Sequence, residues 1–155
     1  MGGVVLTSSL VTESVGAYWS EMIEGWLPTI YPGRQIDSSD WQEWSEYSVS
    51  TWKGPIQRSG GWERLRVQLT SQVFVRKGTN LGRGAEIAER IRGLTAQICL
   101  PVKDRNDEEA AIVGYLRLYE PEVKNLSLHE SNPGESGLEH WTMDWRGIAE
   151  ATGQN

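Results

Sequence analysis

The residues that could carry out chemistry are few and form no recognisable catalytic set. His129 lies in a polar segment and His140 begins a predicted strand, and neither has a second histidine or cysteine three or four residues away. The chain contains no HExxH, GxSxG or P-loop motif, and its GTNLGRG segment has the glycine spacing of neither a dinucleotide-binding nor a phosphate-binding loop. The acidic run Asp107, Glu108 and Glu109 is typical of a solvated hairpin tip. The sequence therefore predicts a protein that is not an enzyme and has no cofactor or metal site.

Length and composition predict one acidic domain. A chain of 155 residues is long enough to bury a core of its own, so we predict a single domain spanning 1–155. The formal charge of -6 and the pI near 5.0 argue against a dedicated nucleic-acid binder. No apolar run approaches the ~20 residues of a membrane span, and no signal-peptide pattern is present. We expect a protein of the reducing cytoplasm, whose single Cys99 is a buried thiol.

The elements that must position any site are organised around a strand between Trp62 and Arg76. Apolar and polar residues alternate there, which indicates a strand with one buried and one solvated face, although Phe74 interrupts the polar set at the far end and predicts that this end is covered. The predicted buried set is Leu65, Val67, Leu69, Val73 and Val75. The predicted solvated set is Arg64, Arg66, Gln68, Thr70, Gln72 and Arg76.

Helical spacing occurs twice. An N-terminal helix is predicted from the stripe Val11 to Leu27, with Ser8 or Ser9 as its cap, and a second from Ile87 to Leu94, with Glu86 supporting Arg90. Further strands are predicted over 43–52, 97–104, 111–121 (with Ile112, Leu116 and Leu118 facing one side) and 138–147. This order predicts an α+β domain, in which an antiparallel or mixed sheet of about five strands packs against the two helices.

Charge is distributed unevenly along the chain. Residues 58–92 hold eight basic and three acidic side chains, a net of +5, whereas the remainder holds seven basic and eighteen acidic side chains, a net of -11. Two interpretations follow: the charges solvate two faces, or a basic side meets the acidic side of the next subunit in a head-to-tail contact. In the second case Arg64, Arg66 and Arg76, on the solvated face of the central strand, are the candidates for the subunit interface.

The eight tryptophans leave a further possibility open. Trp19 and Trp26 lie on the apolar stripe of the first helix and are predicted to belong to the core. The remaining rings lie near strand ends or loops, where amphipathic side chains suit interfaces as well as cores. Stacking on sugars is the alternative use, so a carbohydrate-binding module is a hypothesis of a different class.

Several segments together resemble the tail terminator, or tail-completion, proteins of tailed bacteriophages. After the N-terminal helix these are WLPTIYPGRQID, EWSEYSVSTW, RLRVQLTSQVFVRKGTNLGRGAEIAERIR, AIVGYLRLYEPEV and a final strand that bears tryptophan. The run from Val67 to Ile91 and the segment GYLRLYEPEV are the most specific parts of the likeness. The resemblance covers most of the chain and involves no catalytic signature.

The resemblance implies a structural protein of the virion. Such α+β subunits form a hexameric ring on the tail tube, end tube polymerisation and join the tail to the head connector, without enzymatic activity or cofactor. DNA passes through the lumen without being read, and an acidic lining would let the duplex slide. Asp107, Glu108 and Glu109 are the candidates for the lumen or for a partner contact. A head-completion or stopper protein of the neck is the alternative within this class.

Overall fold

The computed structural model describes residues 6–53, 64–76, 82–104, 108–126 and 138–152. Two helices and seven strands lie within these ranges. In chain order they are α1 (Ser8–Met22), β1 (Thr29–Ile30), β2 (Glu43–Lys53), β3 (Arg64–Arg76), α2 (Arg83–Thr95), β4 (Cys99–Lys103), β5 (Ile112–Leu118), β6 (Glu122–Asn125) and β7 (Leu138–Ala151).

The strands form one mixed sheet, which confirms the predicted α+β class. Their order is β1-β2-β3-β7-β5-β4, and β6 pairs with a further stretch of β7. Among the described strands only β1 runs parallel to its neighbour, and the other pairings are antiparallel. The sheet has two strands more than the predicted five. The additional strands, β1 and β6, are two and four residues long and are too short to show an alternating pattern.

β3 is the central strand of the sheet. It pairs with β2 along one edge and with β7 along the other, from Arg64 opposite Glu150 to Arg76 opposite Leu138. The predicted buried set is confirmed, since all five residues are at most 5% exposed. The alternation continues laterally onto Tyr47 of β2 and Trp145 of β7, which are also buried. One face of the sheet is therefore apolar across three adjacent strands.

The sheet curves around its helices. Thr51 of β2 donates a hydrogen bond from Oγ1 to Ser8 of α1 (2.5 Å), and the backbone N–H of Lys103 in β4 donates to Oγ of Ser14 (3.2 Å). Four interstrand steps of roughly 4.8 Å would place β2 and β4 about 19 Å apart in a flat sheet, whereas Ser8 and Ser14 lie only about 9 Å apart along the helix axis. One helix contacts both strands because the sheet bends toward it. We call the concave, helix-covered side the inner face and the convex side the outer face.

The inner face is filled by aromatic and aliphatic side chains of α1 and α2. Trp19 stacks on Tyr47 at 5.0 Å between ring centroids and meets Trp145 edge-on at 6.3 Å. Both indole N–H groups are satisfied at 3.0 Å, that of Trp19 by Oγ1 of Thr29 and that of Trp145 by Oγ1 of Thr95. The core therefore contains large rings without leaving these polar atoms unpaired.

Two details of the helices differ from the predictions. Thr7, not Ser8 or Ser9, caps α1, because its Oγ1 accepts from the backbone N–H of Leu10 at 3.2 Å. Glu86 pairs with Arg83 (3.4 Å) instead of Arg90, whose guanidinium lies 3.9 Å from the ring centroid of Trp26. The predicted Glu86–Arg90 pair is wrong because Arg90 packs on the ring of Trp26 instead.

Two predicted burials in the β4–β5 hairpin are wrong. Cys99 is exposed, because β4 alternates and directs Leu100 and Val102 to the inner face instead. Ile112 is 44% exposed, because the register shifts between Val102 and Lys103 and reverses the parity of β5 at its start. A β-bulge has this effect, since one additional residue moves the following side chains to the other face.

The buried set of β3 gives a direct stability prediction. Leu69→Ala should lower the free energy of unfolding by about 2–5 kcal/mol, because it removes buried methyl groups and leaves a cavity. Gln68→Ala, the matched change on the exposed side of the same strand, should stay within about 0.5 kcal/mol. Urea denaturation followed by circular dichroism measures both, and equal effects would mean that the two faces have been reversed.

A second prediction concerns the close contact of β5 with β7. A Cβ on Gly147 would lie 2.6 Å from the carbonyl oxygen of Arg117 and 2.9 Å from Leu118 Cδ2. Gly147→Ala should therefore cost about 1–3 kcal/mol, as overpacking does. Gly93→Ala is the control, since no atom lies within 4 Å of its added Cβ, and it should raise stability by up to about 1 kcal/mol through helix propensity. Thermal denaturation that ranks the two variants in the opposite order would contradict this packing.

Candidate subunit-contact face

The outer face is the side of the sheet that the described helices leave uncovered. It is built from the alternate residues of each strand, those that do not point into the core. Along β3 these are the predicted solvated residues, from Arg64 to Arg76. The strand register fixes which residue on each adjacent strand lies beside them, and so determines which side chains are neighbours on this face.

One lateral row crosses five adjacent strands and combines aromatic, apolar and basic side chains. The register places Trp52 of β2 beside Arg66 of β3, and Arg66 beside Ile148 of β7. Ile148 in turn pairs with Arg117 of β5, and Arg117 with Cys99 of β4. The two arginines are therefore two strands apart, with Ile148 between them, and Trp52 lies at one end of the row.

An adjacent row widens this surface. Arg64 of β3 pairs with Glu150 of β7 through Nε and Oε1 (3.3 Å), and Glu150 lies opposite Tyr115 of β5. Trp52 and Tyr115 are each 45% exposed. A shallow groove of about 510 Å³ runs between Tyr115, Arg117 and Ile148. We call the surface formed by both rows the basic–aromatic patch. Its members are Trp52, Arg64, Arg66, Tyr115, Arg117 and Ile148.

The opposite end of the outer face is closed. Trp44, Phe74 and His140 stack in line across β2, β3 and β7, with ring centroids 5.2 Å and 4.6 Å apart. The indole of Trp44 is only 5% exposed, and the guanidinium of Arg76 lies 5.1 Å from its centroid. The predicted covering of the Phe74 end is therefore confirmed. His140 also bonds through Nε2 to Oε1 of Gln72 at 2.9 Å.

Arg76 differs from the other two interface candidates. Arg64 and Arg66 are exposed on the outer face as predicted, whereas Arg76 is turned into its own chain. Its Nε donates to the carbonyl oxygen of Trp41 (2.8 Å) and its Nη2 to that of Ser38 (3.0 Å). These bonds anchor the segment before β2 to the end of β3. Arg76 is thus a structural clamp in the described chain, and its role at a subunit contact stays a prediction.

The acidic candidates are only partly described. Glu108 and Glu109 are exposed in the turn between β4 and β5, whereas Asp107 lies outside the described residues, as does His129. Within the described ranges no group of three or more His, Cys, Asp or Glu side chains is arranged to hold a metal ion. None of the described helices is long and apolar enough to cross a membrane.

Sequence reasoning missed half of the patch. Tyr115, Arg117 and Ile148 were not proposed as contact residues, although parity was a usable signal. Each alternates with a buried neighbour, Leu116 or Ala149, and so must point outward. What the sequence alone could not supply was the order of the strands, which places β5 and β7 beside β3.

The chain matches no protein-family model, and no curated protein is significantly similar to it.

The clamp role of Arg76 can be tested by stability. Arg76→Ala should lower the free energy of unfolding by about 1–3 kcal/mol, since two hydrogen bonds from a charged donor to partly buried carbonyl groups are lost. Arg66→Ala removes the same charge from the same face of β3. Arg66 itself makes no ion pair with a described residue, so this change should alter stability by less than about 0.5 kcal/mol. Urea denaturation separates them, and a cost for Arg66→Ala equal to that for Arg76→Ala would contradict the assignment.

Proposed function

We propose that this protein is a structural subunit of a phage tail that forms a hexameric ring on the tail tube. The ring ends tube polymerisation and joins the tail to the head connector. The observation that carries the proposal is the one-sided construction of the domain: α1 and α2 cover the inner face, while the outer face presents the basic–aromatic patch to solvent. The likeness of the sequence to tail terminator proteins supplies the kind of assembly.

The composition of the patch supports a role in assembly. Tryptophan, tyrosine and arginine are the residue types enriched where protein–protein contacts carry most of their binding energy. Trp52 and Tyr115 keep nearly half of their surface exposed, although both are large enough to bury in the core. A subunit that associates through this face removes those rings from water, which stabilises the assembly at about 25 cal/mol per Å² of apolar surface.

The placement of the tryptophans argues against the carbohydrate-binding alternative. Stacking platforms for sugars need several accessible rings, and Trp52 alone, among the seven tryptophans in the described ranges, is classed as exposed. Trp19, Trp44 and Trp145 are at most 5% exposed. Trp26 is covered by Arg90 on one face of its ring. Most of the tryptophans thus serve packing, and the rival hypothesis loses the feature that motivated it.

The proposed ring function assigns no catalytic residue and no cofactor. DNA passes through the lumen without sequence-specific contact, and the net charge of -6 suits a bore that repels phosphate. Glu108 and Glu109, exposed on the β4–β5 turn, and Asp107 are the candidates to line that bore or to contact a partner. The tube protein binds one face of the ring and the head connector the other. The protein is made in the host cytoplasm and ends in the virion.

A stopper or head-completion protein of the neck is the second candidate within the same class. The two differ in the partner that binds first: a terminator binds the end of a tail tube, whereas a stopper binds the connector of a filled head. The resemblance over Val67–Ile91 and GYLRLYEPEV is to tail terminators, but that family has no residue-level motif that separates it from neck proteins, so the binding partner must distinguish the two.

The test has two measurements on the purified full-length chain. Native mass spectrometry and negative-stain microscopy should show a closed ring of six subunits. Adding this ring to polymerising tube protein from the same phage should stop elongation and leave tubes capped at one end. A ring that leaves tube length unchanged but binds isolated heads would favour the stopper. A protein that stays monomeric at every concentration would exclude both.

A further inference from the structure

We propose that the basic–aromatic patch of one subunit binds the acidic surface of α1 on a second copy of this chain. This contact deepens the proposed function, on which it rests, because it names the surfaces that join neighbouring subunits of the ring. The partner is identified by its chemistry, which is a helix that carries carboxylates and no basic side chain. The inference involves two surfaces of the same chain on opposite sides of the domain.

The arginines of the patch are available for a partner. Arg66 and Arg117 are exposed and make no ion pair with any described residue. Arg64 makes one contact with Glu150, between side chains that are 64% and 40% exposed, and a pair of that kind contributes little. Arg66 and Arg117 lie two strands apart, so their backbones are about 9–10 Å apart with Ile148 between them. The two arginines can bind two carboxylates that are spaced by a similar distance on one partner, while Ile148 makes an apolar contact between them.

The exposed surface of α1 has that spacing. Glu13 and Glu21 are both exposed. Eight residues correspond to two helical turns plus about 80°, so the two carboxylates lie about 12 Å apart along the helix axis and diverge by about 80° around it. Ser8–Met22 contains no lysine or arginine. The surface is therefore acidic without a compensating charge.

One further carboxylate beside α1 is already hydrogen-bonded within its own chain. Glu24, just beyond the helix, accepts hydrogen bonds from Tyr31 (2.6 Å) and Ser20 (3.0 Å). Partial burial, together with the bond to Glu24, raises the pKa of Tyr31 to about 12, so this contact persists at neutral pH.

The arginines of α2 are likewise committed. Arg83 forms a two-point contact with Glu43 (2.6 and 2.7 Å), and Arg92 pairs with Glu120. Arg90 lies on Trp26. The helical layer therefore offers Glu13 and Glu21 toward a second copy, since neither makes a hydrogen bond or an ion pair with a described residue; Glu21 has only an electrostatic interaction with the Tyr18 hydroxyl.

The two surfaces require a head-to-tail arrangement. The patch lies on the outer face, whereas α1 packs on the inner face. In each contact one subunit therefore contributes its patch and its neighbour contributes α1. A two-fold contact between two patches would bring Arg66 and Arg117 of both copies together, and like charges oppose such pairing. A heterologous contact avoids this repulsion, and it closes into a ring when the rotation per subunit divides a full turn.

The patch suits a protein partner better than a nucleic acid. Phosphate binding draws on many basic side chains along a continuous stripe. Here acidic side chains interrupt the basic ones: Glu150 lies in the row of Arg64, and Asp144 with Glu122 lie beyond Arg146, so the basic side chains form no continuous stripe. A large share of the patch is aromatic or apolar.

The experiment uses charge reversal in the full-length chain with a matched control. The patch variant is Arg66→Glu with Arg117→Glu. The control is Arg34→Glu with Lys124→Glu, which changes the net charge equally at exposed sites outside the patch. Sedimentation velocity over a concentration series should show subunit association weakened by roughly a hundredfold or more in the patch variant, as expected when close charge pairs become repulsive. The control should assemble like the wild type.

The second arm is a rescue. Glu13→Lys with Glu21→Lys should also fail to assemble alone, and an equimolar mixture with the patch variant should form complexes again. Circular dichroism of each variant verifies folding. A patch variant that assembles like the wild type, a mixture that stays unassembled, or loss of DNA binding without loss of assembly would each overturn the contact. The tube-capping measurement is independent: rings that assemble through the patch but do not cap tubes would overturn only the function.

Discussion

The packing of Trp19 determines which face of this protein is left for others. Its ring contacts Tyr47 on β2 and Trp145 on β7, two strands separated by β3, and its N–H bonds to Thr29 beside β1. A single side chain of α1 thereby fixes the helix against three strands and favours a sheet that bends toward it. Bending places every outward-pointing residue on a convex surface. The patch exists as a continuous surface because this core holds the strands in one curved sheet.

The basic segment of the sequence and the basic surface of the folded protein are made of partly different residues. The segment 58–92 is basic in sequence, yet its arginines are used in three distinct ways. Arg76 clamps the segment before β2, Arg83 binds Glu43 across to the sheet, and Arg66 is left exposed. The exposed basic surface instead recruits Arg117 from β5, far along the chain. Segment charge therefore predicted a basic side without identifying its members.

Much of the fold could be predicted because long alternating strands specify their faces. β3 was placed with its buried residues, and β2, most of β7 and both helices were found, since each has many residues in phase. The predictions were wrong where a few residues decide the outcome. The bulge between Val102 and Lys103 exposes Ile112, and no sequence period encodes one additional residue. Cys99 lies in an apolar run whose alternation spans only five residues. The candidate site was half predicted, since parity identified Arg64 and Arg66 but strand order was needed for Tyr115 and Ile148.

The uneven exposure of the tryptophans has a practical consequence. Indoles in the core, such as Trp19 and Trp145, are shielded from solutes, whereas Trp52 is accessible at the edge of the patch. A water-soluble quencher such as iodide or acrylamide would therefore collide with Trp52 far more often than with the core rings. Quenching of the Trp52 fluorescence should therefore decrease when a partner covers the outer face. The state of this surface can then be read in solution without attaching a label.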